Sequence, residues 1–282
     1  MRSFVSALAV VIGLLLSAVA VPAIWVDRNV VQEDGFVALA APLGKDPAFQ
    51  QRLAAAAVGG IDTGGAIPEP VAGIVRPLLE SAAASLSGLP GYPAAWEETL
   101  RKSHRLNFGA ADSAPSETGS ASTVTLDVAP LVGLVTSQIS ERAGVAMEAP
   151  GQTLLTVGQP NQRQQIEQVA AYAPLGTSLA VGAGIAFLLA FVAARRRWTV
   201  FAGAGVGALG LAGLWSLGSR FASDTAAGTA SGNEVADLFV QEFVAASTRG
   251  FGSWITTAAI TGAVLVAAGL AGRLLGGRAR KG

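Results

Sequence analysis

Apolar positions along the chain collect into four long unbroken runs, and the stretches between them carry a helical or alternating beat. The most informative pair lies between Pro174 and Gly218. Twenty-one apolar or small residues run from Pro174 to Ala194, then come Arg195, Arg196 and Arg197, then twenty-one more from Trp198 to Gly218. At about 1.5 Å of rise per residue each run measures roughly 31 Å as a helix, one bilayer core. Three successive guanidiniums cannot sit in hydrocarbon, so the pattern predicts a transmembrane hairpin with its turn in water. Phe4 to Val26 and Trp254 to Gly272 supply a first and a fourth span. Ala18-Val19-Ala20 resembles a signal-peptidase site, but the run stays apolar to Trp25, which favours an uncleaved anchor.

Residues 27–173 show shorter periodicities. Asp27 to Ala41 reads as a helix with Val30, Val31, Phe36, Val37 and Ala40 on its apolar side, interrupted by Pro42 and Gly44. Asp46-Pro47 opens another, with Asp as N-cap and Pro at the first helical position; it carries Phe49, Leu53 and Val58 to a stop at Gly59-Gly60. Val71 to Ser87 predicts a third helix. Pro93 to Phe108 is the strongest amphipathic helix, with Trp96, Leu100 and His104 at i, i+4 and i+8. Glu97 and Glu98 precede Arg101, Lys102 and Arg105 at spacings that allow ion pairs. Val124 to Val128 then alternates as a strand does, and Thr153 to Val157 supplies a second strand. Pro130 to Ala143 is the helix between them. This order predicts a small βαβ unit, parallel if its crossover is right-handed. Asn161 to Ala173 is a helix feeding the second span.

In residues 219–253, Asn233 can cap an amphipathic segment. Val235, Leu238, Phe239 and Phe243 face one way; Glu234, Asp237 and Gln241 face the other. Surface-lying membrane helices carry Lys and Arg on the polar face. This one is acidic and anionic lipid repels it, so its apolar face is expected to dock on the 27–173 domain.

Charge turns four spans into a topology. Place the N-terminus, the arginine turn and the C-terminal tail (273–282) on one side. That side holds Arg2, Arg195, Arg196, Arg197, Arg273, Arg278, Arg280 and Lys281, and no acid. The other side, residues 27–173 and 219–253, carries all 19 acids against eleven bases. The positive-inside rule assigns the basic side to the cytoplasm, so both termini are expected inside and the two long segments outside the plasma membrane. Trp25, Trp198, Trp215 and Trp254 all fall at span ends, where aromatic belts sit.

Composition agrees. Only 13% of residues are charged and mean hydropathy is +0.49, against about 25% charged in soluble domains. The predicted fold class is an α-helical membrane protein of four spans (4–26, 174–194, 198–218, 254–272) with a mainly α exported domain.

Candidate chemistry is sparse. With no cysteine and one histidine, neither a thiol nucleophile nor a Cys- or His-rich metal site can be built, and no cofactor is expected. His104 is read as edging the Trp96–Leu100 face with one ring nitrogen hydrogen-bonded. Its neighbours Ser103 and Arg105 give no recognisable catalytic geometry. Arg101, Lys102 and Arg105 form a candidate patch for lipid phosphates or an anionic wall polymer, weighed against a solvated face paired with Glu97 and Glu98. Nucleic acid is not expected on an acidic, exported face. The span cores contain hydroxyls but no charge, which argues against an ion path. Gly203 and Gly207 form a G-x-x-x-G for helix packing, with Gly205, Gly210 and Gly213 extending the small surface. With only a few N-terminal residues, a three-arginine turn and a ten-residue tail, the basic side is not expected to hold a folded domain.

The runs Phe36-Val37-Ala38-Leu39-Ala40-Ala41-Pro42-Leu43 and Asp46-Pro47-Ala48-Phe49-Gln50 are suggestive, as are Trp96 with His104 and Leu126-Asp127-Val128-Ala129-Pro130-Leu131. Together they resemble a group of uncharacterised integral membrane proteins of actinobacteria with one N-terminal span, an exported domain and further spans. The resemblance covers most of residues 20–200. It implies an envelope location and transfers no catalytic residue. The resulting expectation is a non-enzymatic envelope protein, an interaction or scaffolding module whose partners are the bilayer and another membrane or envelope protein. The alternative is an accessory subunit of a transporter or a small-solute permease.

Overall fold

Four helices in the computed structural model are long and apolar enough to cross a membrane. The structure describes residues 2–52, 85, 88–109, 125–143, 151–156, 162–228 and 234–278. The helix expected over 71–87 lies outside these residues except for Ser85, and Arg280 and Lys281 lie outside them too. The chain divides into two compact units. One is built from Met1–Arg28, Ala171–Asp224 and Ser247–Gly282, the other from Asn29–Ala170 and Thr225–Ala246.

The first unit is a bundle of apolar helices. α1 spans Arg2–Val26 and passes into a π-helical turn, Asp27–Val31. The bundle also takes the helix Leu175–Ala193, most of Arg197–Gly228 and the C-terminal part of Glu234–Arg278. These become α6, α7 and α8 in chain order.

Helices α1 and α6 run antiparallel. The Ser6 hydroxyl donates to Ala190 O at 2.8 Å near one end. Near the other, a Cβ on Gly176 would come within 2.8 Å of Ile24 N. α7 and α8 are antiparallel as well and meet backbone to backbone. A Cβ on Gly205 would lie 2.6 Å from Gly262 O, and one on Gly269 would lie 2.8 Å from Trp198 O. Without a hydrophobic drive between helices in lipid, such close approach is what gains van der Waals contact.

Gly207 abuts the Leu14 side chain of α1, whereas Gly203 has open space around it. The expected Gly203–Gly207 pair is therefore not a single seam, because the α7–α8 contact runs through Gly205. Gly205 lies on the side of α7 opposite Gly203 and Gly207, since two positions turn by about 200°.

At one end of the bundle Phe251 meets Trp25 and Trp215 edge-on, at 5.6 and 6.2 Å between centroids. The Trp215 indole N–H also donates to Ala18 O at 3.1 Å. Trp198 and the turn of Arg195, Arg196 and Arg197 stand at the other end.

The second unit is mainly helical. α2 (Glu33–Ala40) is followed by a 3-10 turn, Ala41–Lys45, where Pro42 and Gly44 break the α pattern. A helical turn over 47–52 comes next, and Asp46 caps it as expected. Its Oδ1 accepts from the amides of Ala48 (2.9 Å) and Phe49 (3.2 Å).

α3 (Tyr92–Phe108) is the central helix. Then follow β1 (Thr125–Asp127), α4 (Ala129–Ala143), β2 (Leu154–Thr156) and α5 (Gln162–Tyr172). β1 and β2 pair antiparallel, Leu126 opposite Leu155. This corrects the parallel unit expected from the sequence. Alternation marks a strand but not its partner's direction, and the handedness rule governs parallel pairs alone. The strands are three residues each, so the sheet is a clip between helices.

The core of this unit gathers Val37, Ala40, Leu43, Phe49, Tyr92, Trp96 and Leu100. Trp96 donates its indole N–H to Ala40 O at 3.2 Å. Tyr92 donates to the Gln50 carboxamide oxygen, and Gln50 in turn donates to Leu43 O at 2.9 Å. Burial pushes the Tyr92 phenol up to about 12.

Leu238, Phe239 and Phe243 of α8 pack on this core. Phe239 meets Trp96 and Phe243 meets Phe36, at 6.5 and 5.2 Å between centroids. Arg52 joins Glu242 at 2.6 Å. The apolar face read from the sequence thus packs onto the core of Val37, Trp96 and Leu100 within the second unit. It does so as part of one continuous helix, not as a segment of a 219–253 loop. α7 likewise runs on to Gly228, well past the expected span end at Gly218. Nothing between Glu234 and Trp254 stops α8: Gly250 and Gly252 cost about 1 kcal/mol each as helix interior residues, which is not enough to break it.

Candidate binding cleft beside helix α3

α3 carries a second stripe beside Trp96 and Leu100. Thr99, Ser103 and Asn107 sit at i, i+4 and i+8 and are all buried. Ser103 and Asn107 bind the free edge of β1. Asn107 Nδ2 donates to Thr125 O at 2.7 Å, and its Oδ1 accepts from Thr125 N at 2.9 Å. The Ser103 hydroxyl donates to Thr99 O at 2.6 Å and accepts from Asp127 N at 2.9 Å. The helix therefore replaces a neighbouring strand, and a buried edge is satisfied instead of orphaned.

Asp127 ends β1 and is only 3% exposed. Its Oδ1 accepts from Ala129 N and Thr153 N, both at 3.0 Å. One carboxylate oxygen thus caps the start of α4 and ties in the approach to β2. Asp127 also lines a cleft of about 580 Å³ with Lys102, Arg105, Leu106, Gln152 and the glycines 109 and 151.

The sequence-predicted patch divides around this cleft. Arg101 pairs with Glu97 at 3.6 Å and turns into the i, i+4 partnership the spacing suggested. Arg105 reaches Glu98 at 3.4 Å and Glu33 at 3.9 Å, and it also borders the cleft. Exposed pairs of this kind contribute about 1 kcal/mol or less, so Arg105 is readily shared with a ligand. Lys102 borders the cleft with no ion pair among the described residues. Two cations, a carboxylate and the Gln152 amide can together bind a group with anionic oxygens and hydroxyls.

His104 is 5% exposed. Its Nε2 lies 3.0 Å from Val30 O. Val30 lies in the π-helical turn; a carbonyl only accepts, so Nε2 carries the proton. The ring stacks on Phe108 at 4.4 Å and tilts against Phe36 at 5.1 Å. Burial pushes the imidazole below its ordinary value, against smaller upward pulls from the Val30 carbonyl and the Glu33 carboxylate. Ser103, His104 and Asp127 make no relay: the serine and the carboxylate are engaged with backbone, and the histidine is engaged with Val30. Among the described residues no group of three or more His, Cys, Asp or Glu side chains could hold a metal ion.

Sequence reasoning found Lys102 and Arg105 and missed Asp127 and Gln152, which come from distant segments. The polar stripe Thr99–Ser103–Asn107 was available as a signal, because small polar residues flanking an aromatic face announce a helix that docks on backbone. No protein-family model, curated protein or solved structure matches this chain.

Proposed function

We propose that the chain is a non-enzymatic, four-span protein of the plasma membrane and cell envelope. In this reading both termini are cytoplasmic, and residues 27–173 and 219–253 lie outside. The sorting of charge supports that orientation. All 19 acids fall on one side, and the eight bases of the N-terminus, turn and tail fall on the other.

The outer domain acts as a recognition module, and the cleft of Lys102, Arg105, Asp127 and Gln152 is its binding site. That cleft is the observation that carries the reading: it presents Lys102, without an ion pair among the described residues, and the weakly paired Arg105 beside hydrogen-bonding groups, and the sole imidazole is spent on a backbone carbonyl. An anionic, hydroxyl-bearing wall polymer fits this chemistry. The uncharged span cores favour anchoring over ion conduction.

Sedimentation of the detergent-solubilised full chain with isolated cell-wall material tests it. The proposal expects binding that falls at least tenfold in a Lys102→Gln, Arg105→Gln double variant and after the anionic polymers are extracted from the wall. Binding unchanged by both treatments overturns it.

A further inference from the structure

The apolar bundle contains a groove of about 710 Å³ with walls almost wholly of hydrocarbon. Leu14 of α1, Leu188 of α6, Ala208 of α7 and Leu265 of α8 mark its four sides. Two of the polar groups at its wall are engaged within the protein. Ser17 donates to Gly13 O at 2.8 Å and the Trp215 indole donates to Ala18 O at 3.1 Å. Leu188 is 67% exposed, so the groove is open laterally. From Val200 to Trp215, both in its wall, α7 rises about 22 Å. That exceeds the depth of one leaflet, half of an about 30 Å core.

One end of this groove is charged. Phe191 and Phe201 line it there, 5.6 Å apart. The Arg197 guanidinium lies 4.9 Å over the Phe191 ring, and that of Arg196 lies 6.0 Å over Trp198. Arg195, Arg196 and Arg197 are exposed, and no carboxylate pairs with them among the described residues. An arginine stacked on an aromatic face keeps its N–H fork free for a phosphate.

We propose that the groove holds one acyl chain of an anionic phospholipid from the surrounding bilayer, with its phosphate on Arg196 and Arg197. Charge complementarity selects this occupant. A zwitterionic lipid brings no net charge to three clustered cations, and a neutral apolar molecule leaves them uncompensated. Basic pockets between membrane helices are a known way to hold such headgroups. The assignment needs only that the arginine turn lies at a membrane surface; it is independent of the wall-binding cleft and of which surface that is.

Native mass spectrometry of the full chain tests it, using mixed micelles with equal amounts of phosphatidylglycerol and phosphatidylcholine of identical acyl chains. The expected result is one preferentially retained phosphatidylglycerol. Arg196→Gln with Arg197→Gln should lower the preference by roughly fivefold per arginine. Ala208→Leu, which narrows the groove, should lower retention of both lipids. Arg220→Gln, which removes a charge far along α7, should leave the preference intact. If the double variant fails to fold, Arg197→Gln alone carries the same comparison. Equal retention of the two lipids, or a preference that survives loss of the arginines, overturns the assignment.

Discussion

Asn107 does for Thr125 what a neighbouring strand would do: its carboxamide takes both backbone polar groups of that residue, at 2.7 and 2.9 Å. Asn107→Ala leaves a buried N–H and C=O without partners. The cost of such orphaned groups is about 1–3 kcal/mol each, so the variant should lose about 2–6 kcal/mol. Thermal unfolding of the detergent-solubilised protein checks this, with Gln164→Ala, an exposed position on α5, as a control. A loss under 0.5 kcal/mol, roughly the scatter of surface substitutions, would show that α3 does not hold the strand.

Gly44 allows the Trp96 indole to lie directly on the backbone. A Cβ there would overlap ring atoms Cδ1 and Cγ, and an indole fixed by its bond to Ala40 O cannot step aside. Gly44→Ala should therefore destabilise the second unit by about 1–3 kcal/mol through overpacking. Near-ultraviolet circular dichroism should show an altered tryptophan signal alongside the lower melting temperature.

His104 predicts a direction for acid sensitivity. Its folded value lies below 6.5 because burial disfavours the imidazolium. As pH falls below the unfolded value, the unfolded chain takes up the proton first, so stability drops on acidification and is fully present above it. The slope from one group cannot exceed about 1.4 kcal/mol per pH unit. Denaturation midpoints of wild type and His104→Gln between pH 7 and pH 5 should converge as pH falls, a range chosen about the ordinary histidine value of roughly 6.5. Parallel curves would remove His104 from the acid response.

Two glycines one turn-fraction apart on α7 should behave oppositely. Gly205→Val drives side-chain atoms into Gly262 O and Val266 N, whereas Gly203→Val enters open space. The first should separate α7 from α8 and lower the melting temperature sharply; the second should be nearly neutral. Reversed behaviour would refute the backbone seam.

Local signals proved readable where one segment contains its own explanation. The four apolar runs, the Asp46 cap, and the face made by Leu238, Phe239 and Phe243 all follow from periodicity and capping chemistry. Features that depend on what lies opposite were not readable. Gly203, Gly205 and Gly207 look alike along the chain; only the position of Leu14 and Gly262 separates them. Strand direction depends on the route between Ala143 and Leu154, not on the alternation in Leu126 and its neighbours. Lys102 and Arg105 were legible as a charged pair, but Asp127 and Gln152 join them only through the β1–β2 pairing.

Membrane sidedness is the central claim, and a chain without cysteine makes it directly measurable. Single cysteines at Gln164, in the segment assigned outside, and at Arg196, in the arginine turn, can be probed in intact cells with a membrane-impermeant maleimide. The account predicts that the Gln164→Cys protein is labelled in intact cells and that the Arg196→Cys protein is labelled only after permeabilisation. The opposite pattern would contradict the topology, and with it the assignment of the cleft to a ligand of the cell envelope.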